Sequence, residues 1–369
     1  TPSFSSQGDF AFLSMERDGY EADKNDLIVR KGDIEINLTK NWDGTVQGYK
    51  WSNDGKKIYF NAPVGGTIQL FEVDVNFKAK KLPTVKQITK GDFDIADLKE
   101  IVGNKAIVTK TDINHAAEIY SVDLKSGALT QLTNENKEIF ESIALSDVKA
   151  RKIKTTDGKE MHAWVVYPPN FDPNKKYPTL LYCQGGPQSA LTQFYSPRWN
   201  FQLMAAQGYI VIAPNRRGMP GHGVEWNEQI SKDWGGQVMQ DYLAAIDDIS
   251  KESYVDKDRR GAVGASYGGY SVYYLAGIHE GRFKSFIAHN GVFDLKSMYG
   301  TTEEIFFTNW DAGGAWWEKD NKAAQKTYAQ FDPSSTDLVN KWNTPMLIYV
   351  GGRDYRVPMG QGQEAYQIL

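Results

Sequence analysis

Five short, nearly unbroken apolar runs mark the second half of the 369-residue chain: 179–183, 209–213, 261–264, 286–288 and 346–350. A strand that alternates apolar and polar residues buries one face. A strand that is apolar throughout is covered on both, as in a parallel sheet between layers of helices. Between the second and third runs, Val238, Tyr242, Ala245, Ile246 and Ile249 fall at i, i+4, i+7, i+8 and i+11, one stripe of an amphipathic helix. Strands alternating with helices predict a doubly wound, mostly parallel α/β domain over residues 146–369.

Within that domain the stretch Gly264-Ala265-Ser266-Tyr267-Gly268 stands between a predicted strand and a predicted helix running from Gly269 to about His279. In this context G-x-S-x-G forms a nucleophile elbow, a sharp turn that tolerates only tiny residues two before and two after the serine. The plainer alternative is a glycine-rich turn whose serine caps a helix. If Ser266 is a nucleophile, the oxyanion hole takes the backbone N–H of Tyr267 and one from an earlier strand–helix loop. The loop Gln184-Gly185-Gly186-Pro187 follows the first run and qualifies. The acid of such a fold stands just past a late strand, which selects Asp354 in Gly351-Gly352-Arg353-Asp354. Asp294 also follows a strand, but Asp-Leu-Lys opens a helix-like run and reads better as a cap.

Residues 1–145 follow a different pattern. Thr39, Thr89 and Thr133 each close a similar tripeptide and stand 50 and 44 residues apart. Alternating runs precede two of them, at 70–75 and 119–124, with turn signals between. About three units of several short strands are expected, as in part of a β-propeller; an ordinary β-sandwich is the alternative. Closed propellers usually have about four to eight blades, so further blades upstream are expected.

Composition narrows the function. A net charge of -4 makes no electrostatic case for nucleic acid, and no apolar run approaches the ~18 residues of a membrane span. Cys183 is the single cysteine, so no internal disulfide and no Cys/His metal spacing is available. No metal or cofactor is expected.

Together, Trp234-Gly235-Gly236, Asp241, Tyr254-Val255-Asp256, the serine stretch through Tyr270 and Asp354-Tyr355-Arg356-Val357-Pro358 resemble the prolyl oligopeptidase family of serine peptidases. The resemblance runs from about residue 150 to the end and implies an α/β-hydrolase domain preceded by a β-propeller. The segments around Ala288–Gly291, Asn309–Asp311 and Trp316–Lys319 are most similar to a bacterial dipeptidyl-peptidase branch. It implies Ser266 as nucleophile, the Tyr267 and Gly185 backbone as oxyanion donors, and Asp354 as acid. It further implies Arg356, Val357 and Tyr267 beside the bound peptide, with Phe306, Phe307 and Trp310 as additional aromatic candidates. Arg216 and Arg217 read as structural, paired with carboxylates. The implied partner is a peptide, cut to release N-terminal dipeptides and gripped by a carboxylate pair from the propeller side. Glu21 and Asp23 are available there without an assigned role. An acylaminoacyl peptidase, oligopeptidase or esterase, and a non-catalytic interaction protein, are the alternatives. A homodimer is compatible with the resemblance, and a periplasm is the expected compartment, a cytoplasm the alternative.

The base is the exception. All five histidines, His115, His162, His222, His279 and His289, precede Asp354, whereas the order in this fold is Ser, Asp, His. The expectation is a histidine beyond residue 369 and an inactive chain without it.

Overall fold

The computed structural model describes residues 2–369. Three four-stranded antiparallel sheets come first. They are β1 (Ser3–Phe4), β2 (Phe10–Ser14), β3 (Asp26–Lys31) and β4 (Ile34–Asn37); β5 (Gly48–Trp51), β6 (Lys57–Val64), β7 (Thr67–Asp74) and β8 (Lys86–Gln87); and β9 (Asp94–Val102), β10 (Lys105–Asp112), β11 (His115–Asp123) and β12 (Leu129–Gln131).

The repeated threonines have one job in all three sheets. The hydroxyls of Thr39, Thr89 and Thr133 accept the N–H of Leu27, Leu70 and Ile119, each at 2.9 Å. The residue before each threonine donates its own N–H to the carbonyl of the same partner. The hydroxyl stands in for a backbone acceptor where the outer strand ends. Consecutive sheets share apolar faces: Leu27, Val29, Ile58, Phe60 and Phe71 pack between the first two, and Tyr59, Leu70, Ile95, Val108 and Val122 between the second and third. Sheets stacked in series in this way are propeller blades rather than the two layers of a sandwich.

A seven-stranded sheet follows: β13 (Val148–Lys154), β14 (Glu160–Val166), β15 (Tyr177–Cys183), β16 (Ile210–Pro214), β17 (Val255–Ala265), β18 (Ser285–His289) and β19 (Met346–Tyr349), in the order β13-β14-β16-β15-β17-β18-β19. The pairings of β13 with β14 and β14 with β16 are antiparallel; the remaining four are parallel. The five apolar runs are the five parallel strands. In the first four the side chains alternate between two cores, as burial on both faces requires, whereas β19 buries one face only and leaves Leu347 and Tyr349 exposed on the other. Leu181, Cys183, Ile210, Ile212 and Ala262 face the helices Gln237–Ile249 and Tyr267–Ala276, whereas Tyr182, Val211, Ala213 and Val263 face the helix Phe201–Ala206. This is the α/β-hydrolase arrangement.

Asp94 joins the blades to the hydrolase sheet. It accepts the Ile68 N–H at 2.8 Å from one side, and the Gln193 N–H at 3.1 Å and the Thr192 hydroxyl at 2.5 Å from the other. Burial pushes its pKa up to about 6 despite these donors. Among the described residues no helix is long and apolar enough to cross a membrane.

Candidate active site

The site is built on the carboxyl ends of β15, β16, β17 and β19, where open parallel sheets bind ligands. Ser266 follows β17 with φ +59° and ψ -123°, a strained backbone for a residue with a side chain. Its N–H is held by the His289 carbonyl at 2.9 Å. A Cβ on Gly268 would stand 2.0 Å from the Cys183 carbonyl oxygen, and one on Gly264 2.5 Å from the Gly268 oxygen. The elbow's need for tiny residues is therefore a backbone-to-backbone contact. Gly268→Ala tests it against helix propensity, which favours alanine by about 1 kcal/mol. A clash with a main-chain carbonyl outweighs that gain, and a loss of about 3 kcal/mol or more is expected. Gly300→Ala, in a helix with nothing within 4 Å of the added carbon, is the control and should stabilise slightly. Equal unfolding midpoints for the two variants in denaturant would refute the steric reading.

Tyr267 opens the helix Tyr267–Ala276, so its N–H has no intrahelical acceptor. Gly185 comes close beside it: a Cβ there would lie 2.9 Å from the Ala265 oxygen and 3.5 Å from the Ser266 Cβ. The Gly185 N–H has no acceptor among the described residues. Two free donors thus converge on the serine, the requirement for holding a developing oxyanion.

Asp354 sits past β19 and is held on both oxygens. Oδ1 accepts the N–H of Arg356 at 3.0 Å and of Val357 at 2.9 Å. Oδ2 accepts the side-chain amide of Asn290, whose Oδ1 in turn takes the Gly351 N–H at 2.8 Å. The sequence analysis gives Asn290 no role of its own, although it lies in the Ala288–Gly291 segment and directly follows a strand, here at φ +42°. Asp294 caps the helix Leu295–Thr301 by accepting the Ser297 N–H, as its sequence context indicates.

Beside Ser266 lies a cleft of about 380 Å³. Trp234, Tyr267, Val292, Met298, Phe307 and Val357 form its apolar wall, and Glu21, Gln188, Glu304 and Arg356 its polar part. Two aromatic candidates need correcting. Phe306 is 47% exposed and does not line the cleft. Trp310 stacks on Tyr20 at 4.7 Å and braces the first blade instead. On the helix Ile305–Ala312 Phe307 lines the cleft, whereas Trp310, nearly one turn further along, is taken up by the Tyr20 ring.

Glu21 reaches the cleft from the loop between β2 and β3, and no ion-pair or hydrogen-bond partner is found for it among the described residues. Asp23 turns away, buried against Arg17 and the Glu16 and Arg17 N–H groups. Glu304 pairs with Arg356 at 2.7 Å. Burial raises the Glu304 pKa; Arg356 opposes the rise and Glu21 adds to it. Behind the apolar wall, Asp311 accepts from the Gln188 amide at 3.2 Å and the Trp234 indole at 3.3 Å. Burial pushes its pKa up to about 7.

Among the described residues no histidine ring hydrogen-bonds the Ser266 hydroxyl or the Asp354 carboxylate. His115 pairs with Asp112 at 2.8 Å on the third blade. His162 and His222 stack at 5.9 Å, and burial pushes both down to about 4. His289 packs on Trp199 at 5.7 Å. His279 is buried, accepts the Phe283 N–H, and has its pKa lowered by burial, so it is not the helix-end cation its position suggests. The two arginines also separate: Arg217 pairs with Asp157 at 2.6 Å and Asp241 at 3.5 Å, whereas Arg216 meets no carboxylate among the described residues.

Residues 195–369 match the prolyl oligopeptidase family. Dipeptidyl-peptidase 5 of Porphyromonas gingivalis is 48% identical over 99% of this chain and 52% of its own length. The protein of that name from Aspergillus fumigatus is 30% identical over 100% of this chain and 51% of its own length. The chain spans about half the length of the curated relatives it matches. Among solved structures, the fold matches an acylaminoacyl peptidase in complex with Z-Gly-Gly-Phe-chloromethyl ketone (TM-score 0.85, 24% identity, 100% of this chain and 56% of that one). It also matches Porphyromonas gingivalis dipeptidyl peptidase 4 (TM-score 0.77, 20% identity, 100% of this chain and 50% of that one).

Proposed function

Because residues 195–369 belong to the prolyl oligopeptidase family, we propose that the full-length protein is a serine exopeptidase releasing N-terminal dipeptides. One observation carries the dipeptidyl reading: Glu21, a carboxylate without a partner, lines the same small cleft as Ser266. A substrate with a free amino terminus brings an ammonium that must exchange water for an anion, and the reach from that anion to the serine sets how many residues fit. Glu304 lines the same cleft but is already paired with Arg356 at 2.7 Å, which leaves Glu21 as the carboxylate open to the ammonium. The apolar wall of Trp234, Tyr267, Met298, Phe307 and Val357 suits an apolar side chain at the residue whose carbonyl is attacked.

The reaction is acyl transfer. Ser266 Oγ attacks the carbonyl carbon, and its proton passes to a histidine from outside these 369 residues, oriented by Asp354. The Tyr267 and Gly185 N–H groups hold the oxyanion. The imidazolium then protonates the leaving amine, and water, activated by the same base, releases the dipeptide from Ser266.

The test compares a dipeptidyl p-nitroanilide bearing a free amino terminus with its N-acetylated form. The free form should be hydrolysed far faster, and Glu21→Gln should raise its KM about 10- to 100-fold, the worth of a charge-assisted contact. The same variant should leave the acetylated substrate unaffected. Preference for the acetylated form would instead favour an acylaminoacyl peptidase, the solved fold relative.

A further inference from the structure

The Arg216 side chain is completely buried. A guanidinium taken out of water costs several kcal/mol unless it is paired and hydrogen-bonded. Here the compensation contains no carboxylate. Nε donates to the Tyr242 hydroxyl at 3.0 Å, Nη1 to the Pro187 and Arg217 carbonyls, each at 2.8 Å, and Nη2 to the Gln184 carbonyl at 3.1 Å. The Tyr267 ring faces the cation at 4.8 Å. These partners take four of the five guanidinium N–H groups and leave the full positive charge unneutralised.

Its neighbours are the two elements that carry the free donors. Gln184 and Pro187 bracket the glycines of the β15 loop, and Tyr267 is the residue after the serine. The Gln184 carbonyl and the Gly185 N–H belong to one peptide plane, and in a trans peptide they point in opposite directions. Pulling that carbonyl back onto Arg216 turns the Gly185 N–H away from it, toward Ser266. A cation on the oxygen of an amide also draws electron density from its nitrogen and strengthens the N–H as a donor.

We infer that Arg216 is a positioning residue for the oxyanion hole: it aims and polarises the Gly185 N–H through the Gln184 carbonyl, and its uncompensated charge favours the negative oxygen formed on the substrate. The inference rests on Ser266 acting as nucleophile. A structural arginine would show itself in stability alone. An oxyanion brace acts when charge develops, so it moves kcat and leaves KM in place.

The experiment uses the full-length protein and a dipeptidyl p-nitroanilide. Arg216→Met is expected to lower kcat about 10²- to 10³-fold, as loss of one oxyanion donor does, with KM within about threefold of the parent. Affinity for a peptide boronate that mimics the tetrahedral adduct should fall by the same factor as kcat. The acid limb of the pH–rate profile, set by the histidine, should not move. A folded Arg216→Met protein with unchanged kcat, or one in which only KM rises, overturns the inference. Should that variant fail to fold, Arg216→Lys decides. A single ammonium keeps the charge but cannot hold both loop carbonyls in the planar fork, so about a tenfold loss in kcat is expected with KM unchanged. Full activity of Arg216→Lys overturns the inference too. Ser266→Ala separates the premises: activity surviving there defeats the serine mechanism, whereas its loss beside intact Arg216 variants defeats the brace alone.

Discussion

Ser266→Ala in the full-length protein is expected to lower kcat by about 10⁶-fold without disturbing the fold. The Ser266 hydroxyl has no hydrogen-bond partner among the described residues, so its removal leaves no buried group unsatisfied. The backbone at φ +59° is equally strained for serine and alanine, and the elbow is held by Gly264, Gly268 and the His289 carbonyl instead. Stability should therefore stay within about 0.5 kcal/mol of the parent. What disappears is the atom that forms the acyl-enzyme. Residual catalysis of about 10³–10⁴ over water should persist from binding and the two oxyanion donors. Mass spectrometry after treatment with a fluorophosphonate provides the second readout: one adduct on Ser266 in the parent and none in the variant. Turnover within tenfold of the parent, or an adduct on another residue, would defeat the assignment.

The parts of this site that were legible in the sequence are those fixed by local backbone geometry. The glycine spacing around Ser266 reports a turn too tight for a Cβ, and the structure shows the atoms responsible, the Cys183 and Gly268 carbonyls. Likewise the recurring threonine reports a ladder that needs one more acceptor, a demand met within each blade. Side-chain phase was less legible. In the helix Ile305–Ala312 the residues Phe306, Phe307 and Trp310 carry equal apolar weight, and only packing shows that Phe307 faces the cleft. Contacts across the chain were not legible at all. Glu21 stands 245 residues before Ser266 and reaches it because the first blade docks on the hydrolase domain. Arg216 and Arg217 are identical neighbours whose opposite directions decide their partners: carboxylates for Arg217, loop carbonyls for Arg216.

Asp354→Asn should cost about 10⁴ in kcat, and the donors already on the carboxylate explain why so small a change would matter. Oδ1 is committed to the Arg356 and Val357 N–H groups. An asparagine must keep its carbonyl oxygen there, since turning the amide would set donor against donor twice. Its NH₂ then replaces Oδ2, facing the Asn290 amide, itself a donor, and any histidine N–H presented from the other side. The base is left with no acceptor for its Nδ1–H; it takes the other tautomer and cannot receive the Ser266 proton. The turn that sets Arg356 and Val357 against the cleft is retained, so KM should change by less than about threefold while kcat falls. Relieving the clash offers a check on the cause. Adding Asn290→Asp to Asp354→Asn restores an acceptor opposite the new NH₂, so the double variant should recover stability but not turnover, because the histidine still faces a donor. Unfolding midpoints and kcat measured on the three proteins separate the two effects. A kcat within tenfold of the parent for Asp354→Asn would remove Asp354 from the triad and return the choice of acid to the structure's other carboxylates.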